Sequence, residues 1–270
     1  MNLLKIKHQV SVIVPSWNNI DLLKKFVPNF KKTTKLDTKL FIALNEPKDG
    51  SEQYLRDENI NCVILDKNYG TLAVDFLWSF IYNSLYVVNA NDDSLFYPGW
   101  DKDLVNLLQD KNVAAAQVRG IEKGYKDGIV CIGDPDLPDW LDDNAEKVFF
   151  QNVESNKYKC DLIKGLFHPI CCRSTDFFNV GGYSNFDLEW IPGHSLDTFF
   201  AWKLWRLYDQ NCKFLCSNSS FYYHGSSMTN NKVKTIDPEL NNRHNSDYFI
   251  SKTGLTHKEF HKLIGYGEKA

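Results

Sequence analysis

Tyr86 to Trp100 reads YVVNANDDSLFYPGW, an apolar run that stops abruptly in Asn91, Asp92 and Asp93. The run has the character of a buried strand, and the acidic residues stand at its carboxyl end. Oxygen donors at such a place suit Mg²⁺ or Mn²⁺, ions that commonly hold a diphosphate against a protein. A solvated turn after a strand is also rich in Asn, Asp and Ser. The rest of the chain has to separate the two readings.

Upstream, Val10 to Pro15 (VSVIVP) is a short β-branched run leading into Ser16, Trp17, Asn18 and Asn19. Lys39 to Leu44 ends at Asn45, Glu46 and Pro47, and Asn61 to Leu65 ends at Asp66, Lys67, Asn68, Tyr69 and Gly70. Between these runs, Asp21 to Phe26 and Thr71 to Tyr82 carry apolar residues at helical spacing, with Thr71 placed as an N-cap. The alternation predicts an α/β, Rossmann-like fold: a mainly parallel sheet flanked by helices, with ligands outside the carboxyl ends of the strands. Every polar cluster just named falls at such an end.

Downstream, the pattern predicts a helix over Asp101 to Gln109 and a strand over Val113 to Val118. Arg119 to Cys160, with its GDPDLPDW cluster, reads as a long loop region holding a short hairpin or helix. Order resumes at Leu162 to Cys172, Asp176 to Val180 and the Gly181-Gly182-Tyr183 turn. Leu196 to Leu207 is an amphipathic helix whose Phe199, Phe200, Trp202 and Trp205 are expected in the core. The last strand is either Lys213 to Cys216 or Ser220 to His224. Residues 1–235 then form one domain, and 236–270 a polar C-terminal appendage with a helix at His257 to Ile264.

The chain has 270 residues, 43% hydrophobic and 24% charged, the composition of a globular protein with a sizeable core. A formal net charge of -3 gives no basic field to recruit nucleic acid or an anionic membrane. No stretch is apolar for long enough to span a bilayer, and the N-terminus lacks the pattern of a secretory leader. The expected setting is the cytoplasm, with peripheral membrane contact left open. The seven cysteines show no paired short spacings of a zinc site and read as free thiols.

Taken in order, VSVIVPSWNN, NYG, NDDSLFYPGW, VGGYSNF, SLDTFFAWKL and YYHGSS resemble the inverting GT-A glycosyltransferases of family 2, over roughly Val10 to Thr229. The resemblance implies a nucleoside diphosphate sugar as donor, most often a UDP-sugar, and Mn²⁺ or Mg²⁺ as cofactor. It assigns Pro15, Ser16, Trp17 and Asn18 to the nucleotide, with Trp17 stacking on the base where relatives more often have tyrosine. Glu46, or Asp66 in its stead, would accept the uracil imide N–H. Asn68 and Gly70 would bring backbone close to the nucleotide.

For the metal, Asn91 and Asp93 occupy the outer positions of the family's D-x-D motif, with asparagine in place of the first aspartate. Asp92 would orient the ribose or sugar, and His224 would complete the metal shell or touch the diphosphate. Asp197 falls where the family has an E-D pair before a helix, its first acid replaced by Leu196, and would be the catalytic base. A favourable place beside the helix dipole explains Asp197 without catalysis, and Glu189 is the substitute base. Ser226, Ser227 and Thr229 are candidate phosphate contacts, with Lys232 or Lys234 as charge. Trp140 and Trp190, in loops, are candidates to stack on an acceptor sugar. His168 and Arg173 carry no assigned role.

The function implied is metal-dependent, inverting transfer of a sugar to the hydroxyl of a glycan, a lipid-linked sugar or another acceptor. The alternatives are a decayed nucleotide- or sugar-binding module, or a nucleotidyltransferase. The latter normally carries a Gly-rich basic loop after the first strand, which PSWNNIDL is not.

Overall fold

The computed structural model describes residues 6–124, 128–166, 168–183, 196–225 and 245–270. The chain runs β1 (His8–Ser16), α1 (Ile20–Thr33), β2 (Thr38–Asn45), α2 (Ser51–Asp57) and β3 (Asn61–Leu65). A 3-10 helix (Gly70–Leu77) and α3 (Trp78–Ile81) lead to β4 (Ser84–Asn89), β5 (Ser94–Phe96) and α4 (Trp100–Leu107). Then follow β6 (Val113–Glu122), β7 (Cys131–Gly133), α5 (Ala145–Glu154), β8 (Ile163–Lys164), β9 (Ile170–Arg173) and α6 (Ser174–Asn179). The chain closes with α7 (Leu196–Leu207), β10 (Lys213–His224), α8 (Asn245–Thr253) and α9 (His257–Leu263).

Among the described residues the strands form one sheet in the order β3-β2-β1-β4-β9-β6-β10-β5, with β7 beside β6 and β8 beside β10. β1, β2, β3 and β4 pair in parallel, as do β6 and β10, so their carboxyl ends share one edge. β9 lies antiparallel between β4 and β6. Side-chain alternation along β1 and β2 sends their residues into two different core clusters. Val12, Val14, Ile42 and Leu44 face Leu23, Phe26 and Phe30 of α1, while Ile13, Phe41 and Ala43 face the 3-10 helix and α7.

Several elements differ from the expectation. Thr71 is not an N-cap: the 3-10 helix starts at Gly70, with Tyr69 before it. The backbone groups at this start are already satisfied, because Asn45 Oδ1 accepts from Tyr69 N (2.9 Å) and Asn68 Oδ1 from Gly70 N (2.8 Å). The two alternatives for the last strand are halves of one strand, with a register shift between Cys216 and Phe221. Ser217 and Ser219 in that bulge both donate to Asp103 of α4. β6 runs on to Glu122, past polar residues that suggested an end, because Arg119 donates to the carbonyls of Ser217, Ile129 and Asp161. The region to Cys160 holds, within its loops, the short strand β7 and the helix α5.

The C-terminal segment packs on the main domain. Phe249, Phe260 and Ile264 are buried in the core that holds α7, and the Phe260 ring meets Trp205 at 5.8 Å. Thr256 and Glu259 form a reciprocal capping box that starts α9 at His257. No helix of the described residues is long and apolar enough to cross a membrane.

Candidate active site

Sheet register brings three separated acidic and imidazole groups together. On β10, His224 pairs with Glu122 of parallel β6 on one side and with Ser94 of antiparallel β5 on the other. Asp93 immediately precedes Ser94, and its carbonyl accepts from Gly225 N at 2.8 Å. His224 therefore sits between two carboxylates: Nδ1 is 2.6 Å from Glu122 Oε1, and Nε2 is 3.3 Å from Asp93 Oδ1. Asp93, Glu122 and His224 are 4%, 6% and 6% exposed, so water does little to screen them. Burial lowers the His224 pKa, but Asp93 and Glu122 outweigh it and raise the imidazole to about 10.

That shift has a stability consequence. Between pH 6.5 and about 10 the folded chain holds a proton on His224 that the unfolded chain has lost, so this contribution to stability is complete below pH 6.5 and declines as pH rises. His8, His168, His257 and His261 have lowered pKa values, so their contributions vary below pH 6.5 and with the opposite slope. In EDTA, the melting temperature is expected to fall from pH 6.5 to 8, and His224→Gln to flatten that fall. A wild-type profile already flat in this window would show that the ring is not held protonated.

Sequence placed Glu122 outside any site. It was detectable by the criterion applied to β4, an acidic residue closing an apolar strand, but Gln117, Arg119 and Gly120 obscured the strand. Among the described residues no three His, Cys, Asp or Glu side chains are arranged to hold a metal ion by themselves. Asn91 is half-buried in the turn after β4.

Asp92 is held by the residues that follow the core of β1. Its Oδ2 accepts from Ser16 Oγ (2.6 Å) and Asn19 Nδ2 (2.9 Å), and all three residues are buried. Ser16 and Asp92 thus tie the loop after β1 to the loop after β4. Pro15 lies in β1, opposite Ala43. Trp17 is half-buried, and Asn18, in the left-handed region at φ 51, accepts from Lys48 N at 2.7 Å. Glu46, also left-handed at φ 43, pairs with Lys48 Nζ at 2.6 Å. Asp66 is exposed beyond β3, 3.4 Å from Tyr69 OH. The Asn68 side chain is used inside its turn, and Gly70 takes a φ of +56 that suits glycine.

Asp197 stands half-buried in the first turn of α7, where its Oδ1 accepts from Thr198 N at 2.9 Å. Its charge acts on His168, His257 and His261. Burial lowers the His168 pKa against the pull of Asp197, and the same ring feels His224 and Asp93. His168 is therefore close enough to feel Asp197, His224 and Asp93 together. Arg173, also without an assigned role, donates to the carbonyls of Val113, Leu108 and Asp110 and is structural.

Trp140 does not line a cleft. It is 4% exposed, its Nε1 donates to the Tyr223 carbonyl at 3.2 Å, and Lys25 Nζ covers the ring at 5.9 Å. The indole finds its hydrogen bond inside, so the Pro- and Asp-rich loop folds over it. Glu189, Trp190, Ser226, Ser227, Thr229, Lys232 and Lys234 lie outside the described residues.

The whole arrangement is that of the GT-A fold. The mannosyltransferase PcManGT from Pyrobaculum calidifontis, in complex with GDP-Man and Mn²⁺, aligns with a TM-score of 0.60 at 14% identity, over 97% of this chain and 70% of that one. GalNAc-T7 with UDP, GalNAc and Mn²⁺ aligns at 0.58 and 12%, over 97% and 55%. S. aureus TarS 1-349 aligns at 0.56 and 11%, over 96% and 70%. Residues 11–133, a little under half of the chain, match the family model described as Glycosyl transferase family 2. No curated protein matches the chain.

Proposed function

We propose that this chain transfers a sugar, with inversion, from a nucleoside diphosphate sugar to an acceptor hydroxyl, using a divalent cation and a UDP-sugar as the first donor to test. The observation that carries the reading is the meeting of Asp93, His224 and Glu122 at the carboxyl edge of the sheet, with Asp197 acting on the same His168 ring as Asp93 and His224.

The donor set fits Mn²⁺ or Mg²⁺. Asp93 offers a carboxylate oxygen and His224 an imidazole Nε2 on the same side, while Glu122 accepts from Nδ1–H and fixes the ring, a usual support for a metal-bound histidine. Asn91 would add a neutral carbonyl oxygen, and a diphosphate would supply further ligands. When bound, the cation would stabilise negative charge on the departing diphosphate. The PcManGT and GalNAc-T7 structures hold Mn²⁺ with a nucleotide, which supports the same kind of donor complex here.

Asp197 takes the proton of the acceptor hydroxyl as its oxygen attacks the anomeric carbon and the bond to the diphosphate breaks. Trp17 and Glu46 or Asp66 take the base. Asn18, Asn68 and Gly70 shape its surroundings, and Ser16 with Asp92 holds the first loop in place. The domain division at residue 235 is kept as a proposal, with α8 and α9 docked on the first unit.

Calorimetric titration with UDP, GDP, CDP and dTDP, each with Mn²⁺ and again with EDTA, tests the reading. Binding of one nucleotide that disappears in EDTA is expected, and binding of none would refute it. Glu122→Gln is expected to weaken Mn²⁺ by about 10- to 100-fold, the usual effect of losing a residue that supports a metal-bound histidine. Unchanged Mn²⁺ affinity in that variant would remove Glu122 from the metal's surroundings.

A further inference from the structure

Lys203 lies on α7 six residues after Asp197, about 9 Å further along the helix. It is a lysine at 6% exposure, in a core where an apolar side chain would avoid the cost of burying charge. Its Nζ donates to the carbonyl of Gly182 and, at 3.4 Å, to that of Tyr183. The ammonium also lies 5.3 Å and 5.8 Å from the ring centres of Phe199 and Phe200.

The same turn is gripped from the opposite side. Asp75, on the 3-10 helix that begins at Gly70, accepts from Tyr183 N at 3.0 Å. Gly182 has φ +62, and a Cβ there would collide with Asp75 Oδ1. The carboxylate is thus seated against bare backbone that glycine alone provides. The Tyr183 ring stacks on Phe200 at 4.6 Å and 7°, which fixes the turn to α7. Burial lowers the Lys203 pKa to about 8, and Asp75 opposes the shift, consistent with two charges facing each other across the turn.

We propose that Asp75 and Lys203 are positioning residues: they clamp the Gly182–Tyr183 turn between the helix of the donor-side loop and the helix bearing Asp197. The clamp sets the distance between the base and the donor, and this assignment rests on the glycosyl-transfer reading above. It explains why a charge is buried where Leu or Met would pack, since a fixed ammonium dictates geometry that an apolar side chain does not.

The test pairs hydrogen exchange with kinetics on full-length Lys203→Met. Exchange at the Tyr183 amide and over residues 196–199 is expected to quicken about tenfold while the amides of β1, β2 and β4 stay protected. With donor and acceptor in hand, kcat is expected to fall roughly 10- to 100-fold with the donor KM within about twofold, because misplacement of the base costs turnover before it costs binding. Wild-type exchange at Tyr183, or uniform quickening across the sheet with kcat preserved, would overturn the clamp. Asp75→Asn keeps an acceptor for Tyr183 N while removing the charge, so it decides the question if Lys203→Met does not fold. Absence of turnover in wild-type protein would count against glycosyl transfer, and the exchange result would still judge the clamp.

Discussion

Asp197→Asn is expected to lower turnover by about 10²- to 10⁴-fold, the range typical of removing a general base, while nucleotide binding with Mn²⁺ stays unchanged. Asparagine has the same shape and keeps a carbonyl oxygen for the Thr198 amide that Asp197 Oδ1 now accepts. It cannot take a proton. The loss of charge at the start of α7 costs about 0.3–1 kcal/mol through the helix dipole, too little to unfold a domain with this core. A second readout separates local from global effects. His257 and His261 feel the Asp197 charge, which opposes the lowering of their pKa by burial, so removing the charge is expected to move both imidazoles further down. Single-turnover transfer, calorimetry and imidazole titration by NMR together check the variant. Near-normal turnover with intact donor binding would place the base elsewhere, with Glu189 next to be tested.

The first half of the fold was legible because each parallel strand is an apolar run closed by a polar cluster, and that period survives in VSVIVP, KLFIAL and YVVN. The antiparallel insertion of β9 between β4 and β6 was not legible. ICCR pairs with strands distant in the chain, and nothing local in four residues specifies a partner or a direction. The C-terminal packing was hidden for a related reason. Phe249, Phe260 and Ile264 stand singly or in short apolar groups within a polar stretch, and only the tertiary structure shows that they share one core with α7. At the site, Asp93 and His224 were named from motif positions, while their meeting depends on β10 pairing with both β5 and β6. Glu122 enters through that same pairing. His168 has no motif at all, and its nearness to the charges of Asp197, Asp93 and His224 follows from the tertiary fold.

Asp93→Ala is expected to abolish Mn²⁺-dependent nucleotide binding, a loss of at least about 100-fold, since changing a residue that merely supports a metal ligand already costs about 10- to 100-fold. The carboxylate is the charged oxygen donor that the proposed metal requires from this turn, and Ala leaves only His224 and the neutral Asn91. The fold around it should hold, because the contact that joins this turn to β10 uses the Asp93 backbone carbonyl and Gly225 N, 2.8 Å apart. Asp93→Asn refines the test. It keeps a neutral oxygen beside His224 Nε2, so it should fall between wild type and Ala in Mn²⁺ affinity, in proportion to how much of the interaction is charge. Both variants remove one of the two carboxylates that raise the His224 pKa, so the ring should titrate lower in metal-free protein and give proof of the lost contact independent of binding. If Asp93→Ala still binds a nucleotide only in the presence of Mn²⁺, with wild-type affinity, the cation is held elsewhere and the trio at the end of β10 is a structural ion pair.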